Sequence, residues 1–158
     1  MPRSPFTFLL SSPDATAHCA IALGASLRSG DTLLLEGDVG AGKTHFARHL
    51  IQSLLETPED VPSPTFTLVQ TYETTAGPLW HSDLYRIGST FEIDELGLPD
   101  AFDSAICIVE WPDRLGDLAP TDALRLHFEQ GPSEDARRLT ATWTADRWSQ
   151  VIDTWNAQ

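Results

Sequence analysis

Residues 37 to 44 read GDVGAGKT, which matches the pattern G-x-x-x-x-G-K-[ST]. In this pattern the backbone N–H groups of a glycine-rich loop turn inward around a phosphate chain, and the glycines allow the positive φ angles that the turn requires. Lys43 would place an ammonium at the β and γ phosphate oxygens, and Thr44 would offer a hydroxyl to Mg²⁺. The stretch predicts a phosphate-binding loop, or P-loop; the alternative is a glycine-rich turn with a surface lysine.

The segments on either side of the loop have the order that phosphate binding requires. TLLLE at 32 to 36 has the length and apolarity of a buried parallel strand. From Lys43 onward, apolar residues recur at spacings of three and four, which predicts a helix whose N-terminus carries about half a positive charge. Lys43 is also the only lysine among the ten basic residues. The predicted nucleotide contacts in this loop are Asp38, Val39, Gly40, Ala41, Gly42, Lys43 and Thr44.

Two acidic residues are candidates to work with the loop. Glu110 follows the apolar run ICIV, so it would stand at the carboxyl end of a buried strand and bind Mg²⁺ directly or through water, unless it is an ordinary strand-end glutamate. Asp83 would act on the γ-phosphate as a catalytic carboxylate or water-positioning group; a surface ion pair with Arg86 is the alternative. His81 shares a face with Asp83, but without a third ligand at useful spacing we expect it to be structural rather than part of a zinc site.

Thr65 is a further candidate, because it lies between Pro64 and Phe66 after the predicted helix. Nucleotide switches place a hydroxyl that senses the γ-phosphate in a comparable position. A plain turn bracketed by proline is the alternative.

Composition limits the class of protein. The 158 residues are expected to form a single domain over 1–158 that carries the predicted P-loop. Ten basic against 23 acidic residues give a formal charge of −13, which disfavours direct binding of RNA or other nucleic acid and would leave any link to RNA to a protein partner. Cys19 and Cys107 have no metal-ligand spacing, and the sequence contains no apolar run long enough for a signal peptide or membrane span. We expect a cytoplasmic protein.

The remaining patterns predict an α/β fold. Two strongly apolar runs favour buried parallel strands, and two pairs of segments around turn residues favour antiparallel hairpins. Strands are expected over 6–10, 32–36, 66–73, 79–85, 105–111, 124–129 and 138–143, and helices over 15–27, from 43 onward, and over 90–96, 99–102 and 145–155. The prediction is a three-layer, P-loop NTPase-like fold whose parallel central sheet is extended by antiparallel strands.

Five motifs together resemble the TsaE family, P-loop ATPases needed for the threonylcarbamoyl modification of adenosine in tRNA. The similarity covers roughly residues 10 to 145. The motifs are GDVGAGKT at 37–44, SPTF at 63–66, HSDLYR at 81–86, ELGL at 95–98 and VEWP at 109–112.

The resemblance implies an ATP/ADP-binding protein that uses Mg²⁺ and works with the proteins TsaB and TsaD. By position, it implies that Lys43 and Thr44 bind phosphate and Mg²⁺, that Glu110 binds Mg²⁺, and that Asp83 is required for hydrolysis. It further implies that Trp111 senses or supports the nucleotide site and that Thr16 touches the adenine.

Three other classes of nucleotide-binding protein are alternatives to this interpretation. A GTPase would need an N/T-K-x-D motif, which the chain cannot form because its only lysine stands in the P-loop. A small-molecule kinase would need an arginine-bearing lid, yet residues 87 to 104 contain only acidic, apolar and small residues. A binding module that hydrolyses ATP only within an assembly remains open, since the chain shows no obvious arginine finger.

Overall fold

A computed structural model describes residues 3–38, 40–64 and 67–156 of the chain. Within these ranges no helix is long and apolar enough to cross a membrane. A 3₁₀ helix, Pro112–Leu118, follows the fifth strand. The strands and α-helices of the described residues are β1 (Phe6–Leu10), α1 (Pro13–Gly24), β2 (Thr32–Glu36), α2 (Lys43–Leu54), β3 (Val69–Thr74), β4 (Gly77–Asp83), α3 (Thr90–Glu95), α4 (Leu98–Ser104), β5 (Ile106–Glu110), β6 (Leu124–Gln130), β7 (Arg137–Thr142) and α5 (Asp146–Asn156).

The strands form one seven-stranded sheet in the order β1-β7-β6-β2-β5-β4-β3. The four central strands, β6, β2, β5 and β4, are parallel to one another. The outer strands β7 and β3 are antiparallel to their inner neighbours, and β1 is antiparallel to β7. The parallel centre places the carboxyl ends of β2, β4 and β5 at one edge of the sheet, where α/β proteins bind ligands.

Helices cover both faces of the sheet. Leu33 and Leu35 of β2 belong to a core cluster with apolar residues of α1, α2 and α5. Leu34, which points to the opposite face, packs in a second cluster with residues of α3, α4 and the 3₁₀ helix. The predicted α/β fold, a parallel centre with antiparallel additions between helical layers, is therefore confirmed.

Several element boundaries differ from the prediction: β3 begins at Val69 rather than residue 66, β4 ends at Asp83 rather than residue 85, and two further differences have local reasons. α1 ends at Gly24 rather than residue 27, because the chain continues in tighter turns in which the N–H groups of Ser26 and Leu27 bond carbonyls three residues back. The first hairpin has a two-residue turn instead of five, because the Thr74 hydroxyl donates to the Gly77 carbonyl at 2.6 Å and accepts from the N–H of Ala76 at 3.1 Å.

Candidate functional site

The loop between β2 and α2 turns through glycines that its geometry requires. Gly37 has a φ of 138° and Gly42 a φ of 105°, both in the left-handed region. A Cβ atom on Gly37 would lie 2.5 Å from the carbonyl oxygen of Phe128. Gly42 is the N-cap residue of α2 and has no side chain to cap the first N–H groups of the helix. These N–H groups are therefore suited to bind an anion.

Lys43 brings a cation to the same loop. Its side chain is only 5% exposed, and Nζ donates to the carbonyl oxygen of Gly37 at 2.5 Å. Nζ also lies 3.6 Å from the centre of the Trp111 ring. Burial lowers the pKa of Lys43, and the charges of Glu110 and Asp83 offset part of that decrease. An anionic ligand would be a stronger partner for this ammonium than a carbonyl and an aromatic face.

Thr44 and Glu110 bring a hydroxyl and a carboxylate together beside the lysine. The Thr44 hydroxyl donates to Glu110 Oε1 at 2.9 Å, and His81 Nε2 lies 2.7 Å from Glu110 Oε2. Glu110 is 2% exposed and His81 is fully buried. One oxygen of the carboxylate thus faces the loop while the other is held from inside the protein.

The oxygen pair fits Mg²⁺ better than zinc. A hydroxyl and a carboxylate are hard ligands, and Mg²⁺ in nucleotide sites completes its coordination with phosphate and water oxygens. Among the described residues, no group of three or more His, Cys, Asp or Glu side chains could hold a metal ion. Two hard oxygens, from Thr44 and Glu110, suit a cation that completes its coordination with phosphate and water oxygens.

Asp83 adds a second carboxylate at the same edge of the sheet. β4 and β5 run parallel with Asp83 directly beside Glu110 in the register. Asp83 is 6% exposed, and its Oδ1 accepts a hydrogen bond from the N–H of Tyr85 at 3.0 Å. The two strand ends thus bring both carboxylates, which are 27 positions apart in the sequence, to the P-loop lysine.

An open cavity of about 580 Å³ lies over these groups, which is within the size range of small-molecule sites. Arg86, Asp83 and Glu110 line it beside the P-loop, and Thr16 lines it from α1. Its full lining is Pro13, Thr16, Gly40, Gly42, Lys43, Thr44, His45, Asp83, Tyr85, Arg86, Glu110, Trp111, Asp135 and Arg137. The cavity therefore combines an anion-binding loop, a cation and two carboxylates.

Known proteins are similar in sequence to this chain over most of its length. The family model described as threonylcarbamoyl adenosine biosynthesis protein TsaE matches residues 10–139. The chain belongs to the TsaE family. Proteins named "tRNA threonylcarbamoyladenosine biosynthesis protein TsaE" from Rickettsia bellii and Bacillus subtilis are 37% identical over 131 residues and 34% identical over 142 residues. These matches cover 83% and 89% of this chain, and 90% and 87% of the relatives.

The TsaE-family fold is also seen in a solved structure. The crystal structure of Bacillus subtilis YdiB matches with a TM-score of 0.77 at 24% sequence identity, covering 99% of this chain and 97% of that one. At this level of identity the likeness shows a shared fold.

The structure brings most of the predicted site residues together. Thr16, Lys43, Thr44, Asp83, Glu110 and Trp111 all line the cavity, together with Gly40 and Gly42. Asp38 and Ala41 lie in the loop but not in the cavity lining: the Asp38 carbonyl accepts from the N–H of Ala41 at 3.0 Å. His81 lies behind Glu110. Val39 and Thr65 lie outside the described residues, so the expectations for them stay predictions.

Sequence reasoning missed several residues of the TsaE-family cavity. Tyr85 follows Asp83 by two positions and packs against Trp111 with ring centres 4.8 Å apart, so its place in the HSDLYR motif was a usable signal. Arg137 had no such signal. It stands at the start of β7, 93 positions beyond Thr44, and reaches the P-loop only because β7 lies on that side of the sheet.

Proposed function

We propose that this TsaE-family chain binds ATP with Mg²⁺ in the cavity, hydrolyses it, and in this way supports the threonylcarbamoyl modification of adenosine in tRNA. The observation that carries the proposal is the Thr44–Glu110 hydrogen bond of 2.9 Å beside the buried ammonium of Lys43, at the N-terminus of α2. A glycine turn alone would not place a hydroxyl, a carboxylate and a cation around one point.

The P-loop and Lys43 would hold the phosphates. Free N–H groups at the start of α2 bind the phosphate oxygens, and the helix dipole adds to the attraction. Lys43 exchanges the carbonyl of Gly37 for the β and γ oxygens, which keeps its charge paired while the phosphates enter.

Thr44 and Glu110 would hold the cation. The hydroxyl and Oε1 offer hard oxygens side by side, and His81 keeps the carboxylate in place through Oε2. When bound, Mg²⁺ supplies positive charge that neutralises the phosphate oxygens.

Asp83 would act on the attacking water. Its carboxylate stands beside Glu110 in the lining of the cavity and accepts a hydrogen bond from the N–H of Tyr85. In the proposed reaction, a water oxygen bonds to the terminal phosphorus while the bond to the bridging oxygen breaks and its electron pair leaves with ADP; one proton of the water stays on the released phosphate and the other passes to solvent. Asp83 orients this water through a hydrogen bond.

We propose that TsaB and TsaD are the partners and that they accelerate a slow basal hydrolysis. A group supplied by a partner can accelerate phosphoryl transfer by about 10³ or more. The formal charge of −13 supports contact with tRNA through a partner rather than through this chain.

The test is phosphate release from Mg-ATP by the purified chain, alone and with TsaB plus TsaD. We expect slow release alone and at least about tenfold stimulation by the partners. Lys43→Ala should abolish release in both conditions, and release that survives this substitution would overturn the assignment of the cavity. If ADP forms only when a small hydroxylated acceptor is added, the kinase alternative is favoured.

A further inference from the structure

Arg137 connects two loops at the edge of the cavity. Its Nε donates to the carbonyl oxygen of Ala41 at 3.1 Å, and Nη2 donates to that of Gly40 at 3.3 Å. Its Nη1 donates to the carbonyl oxygens of Glu134 and Ala136, both at 2.8 Å. Four of the five N–H groups of the guanidinium therefore donate to backbone oxygens, and two of these oxygens belong to the P-loop.

These bonds fix the direction of peptide groups in the P-loop. In a planar trans peptide, the N–H of the following residue points away from the carbonyl oxygen. Anchoring the Ala41 carbonyl on Arg137 therefore turns the N–H of Gly42 away from the arginine. This peptide precedes a glycine with a φ of 105°, which gives the loop the freedom to adopt other conformations when it is not held.

The anchor itself is firmly placed. Arg137 is the first residue of β7 and pairs with Leu10 on one side and Gln130 on the other. The loop before it is closed by the N–H of Gly131, which bonds the Ala136 carbonyl at 2.9 Å, and by the Gln130 side chain, which donates to Glu134. The bonds of Arg137 therefore hold the P-loop in a fixed position relative to the sheet.

Arg137 also brings charge to the ligand. The residue lines the same cavity as Lys43 and Thr44. A permanent guanidinium charge at this edge attracts an anionic ligand in a chain whose net charge is −13.

We infer that Arg137 is a positioning residue of the nucleotide site, which holds the Gly40–Ala41 backbone of the P-loop in the shape that accepts phosphate and so sets the affinity for ATP and ADP. The inference rests on the proposed function, because the ligand is the nucleotide. The inference gives β7 a part in phosphate binding, although this strand is far from the P-loop in sequence.

The experiment measures ADP affinity and hydrogen exchange in Arg137→Ala, Arg137→Lys and a matched control, Arg138→Ala. Arg138 is the next residue on the same strand, is exposed, and points to the opposite face, so its removal changes the charge equally without touching the P-loop. ADP affinity is measured by titration in Mg²⁺ buffer, and exchange is followed in peptides covering residues 37–44 of the nucleotide-free protein.

We expect Arg137→Ala to weaken ADP binding by about 10- to 100-fold, because only the fraction of loops in the competent shape binds. Arg137→Lys should recover only a small part, since lysine keeps the charge but cannot bridge two loops. Arg138→Ala should bind within about twofold of the parent chain. Exchange in 37–44 should become faster in both Arg137 variants and stay unchanged in Arg138→Ala.

Equal affinity in the parent chain and Arg137→Ala would overturn the inference, as would equal losses in Arg137→Ala and Arg138→Ala. Full recovery by Arg137→Lys would reduce the role to charge alone and also overturn it. If the parent chain does not bind ADP at all, the proposed function fails, and the exchange rates still decide whether Arg137 orders the loop.

Discussion

Glu110 is held from two directions, and this determines what each of its oxygens can do. The Thr44 hydroxyl reaches Oε1 and His81 Nε2 reaches Oε2, so the carboxylate cannot rotate without losing a bond. The 2.7 Å contact ties the ring of His81 to one oxygen of the carboxylate and leaves the other oxygen to face the loop. A buried histidine that looked structural in the sequence therefore orients a candidate metal ligand.

Thr44→Val should remove the dependence of nucleotide binding on Mg²⁺. Valine has nearly the shape of threonine but no hydroxyl, so the loop is kept while one oxygen ligand is lost. We expect the Mg²⁺-dependent gain in ADP affinity to fall by at least about tenfold, with little change in EDTA. The measurement is a pair of ADP titrations, with Thr44→Ser as the control that restores the hydroxyl. A full Mg²⁺ effect in the valine variant would remove Thr44 from the metal site.

Asp83→Asn should separate binding from turnover. The amide keeps the size of the carboxylate and can still accept from the N–H of Tyr85 through its oxygen, so the local backbone should hold. We expect ADP affinity within about threefold of the parent chain and hydrolysis reduced by about 10² or more. Phosphate release and ADP titration are compared on the same preparation. Comparable losses in both would make Asp83 a structural residue.

At the scale of elements, three strand ends and the starts of two helices, α1 and α2, assemble the site. β2 leads through the P-loop into α2, β4 ends at Asp83 and β5 ends at Glu110, while α1 brings Thr16 to the wall of the cavity. α1 is started by Ser12, whose Oγ accepts from the N–H of Ala15 at 3.1 Å and whose carbonyl accepts from the Thr16 hydroxyl at 3.2 Å. The position of this wall therefore depends on the N-cap.

Ser12→Ala should destabilise the protein through α1. Loss of an N-cap side chain leaves one N–H of the first turn without its partner and costs about 1 kcal/mol of unfolding free energy. The measurement is urea unfolding, with Ser12→Thr as the control because threonine can also cap. An alanine variant as stable as the parent chain would show that this bond adds nothing to stability.

Local patterns predicted the elements well, but not the contacts between distant ones. The apolar TLLLE and ICIVE runs and the helical spacing after Lys43 specify β2, β5 and α2, because one face or both faces of each must be buried. The pairing of β1 with β7 and the Arg137 contact with Gly40, 97 positions away, depend on the complete sheet. The 3₁₀ helix after Trp111 was also missed: Pro112, Leu115 and Leu118 recur every third residue, but Pro112 and Gly116 make the short segment look like a loop.

At the scale of the whole molecule, the core that packs on the two faces of the sheet contains a titratable group. This group becomes exposed to water only when the chain unfolds. Cys107 lies in the central strand β5 with no exposed surface. Burial raises the pKa of its thiol from an ordinary value of 9.0 to about 12. Burial also raises the pKa of the Cys19 thiol to about 12, although a hydrogen bond from Trp155 lowers it in part. Both thiols favour the neutral form in the folded chain.

The raised pKa of Cys107 predicts that stability falls in alkaline solution. Below pH 9 the thiol is protonated whether the chain is folded or unfolded, so its contribution is fully present. Between pH 9 and about 12 it ionises only in the unfolded chain, which draws the equilibrium toward unfolding. From pH 8 to pH 10 the parent chain should lose about 1.4 kcal/mol more unfolding free energy than Cys107→Ala. The comparison uses urea unfolding of both proteins at both pH values. The cavity left by alanine lowers the free energy of unfolding equally at each pH, so its effect cancels in the difference. Tyr72, whose pKa is also raised by burial, titrates in both proteins and cancels as well. Equal losses in the two proteins would mean that the Cys107 thiol ionises as readily in the folded chain as in the unfolded one, which its position inside β5 should prevent.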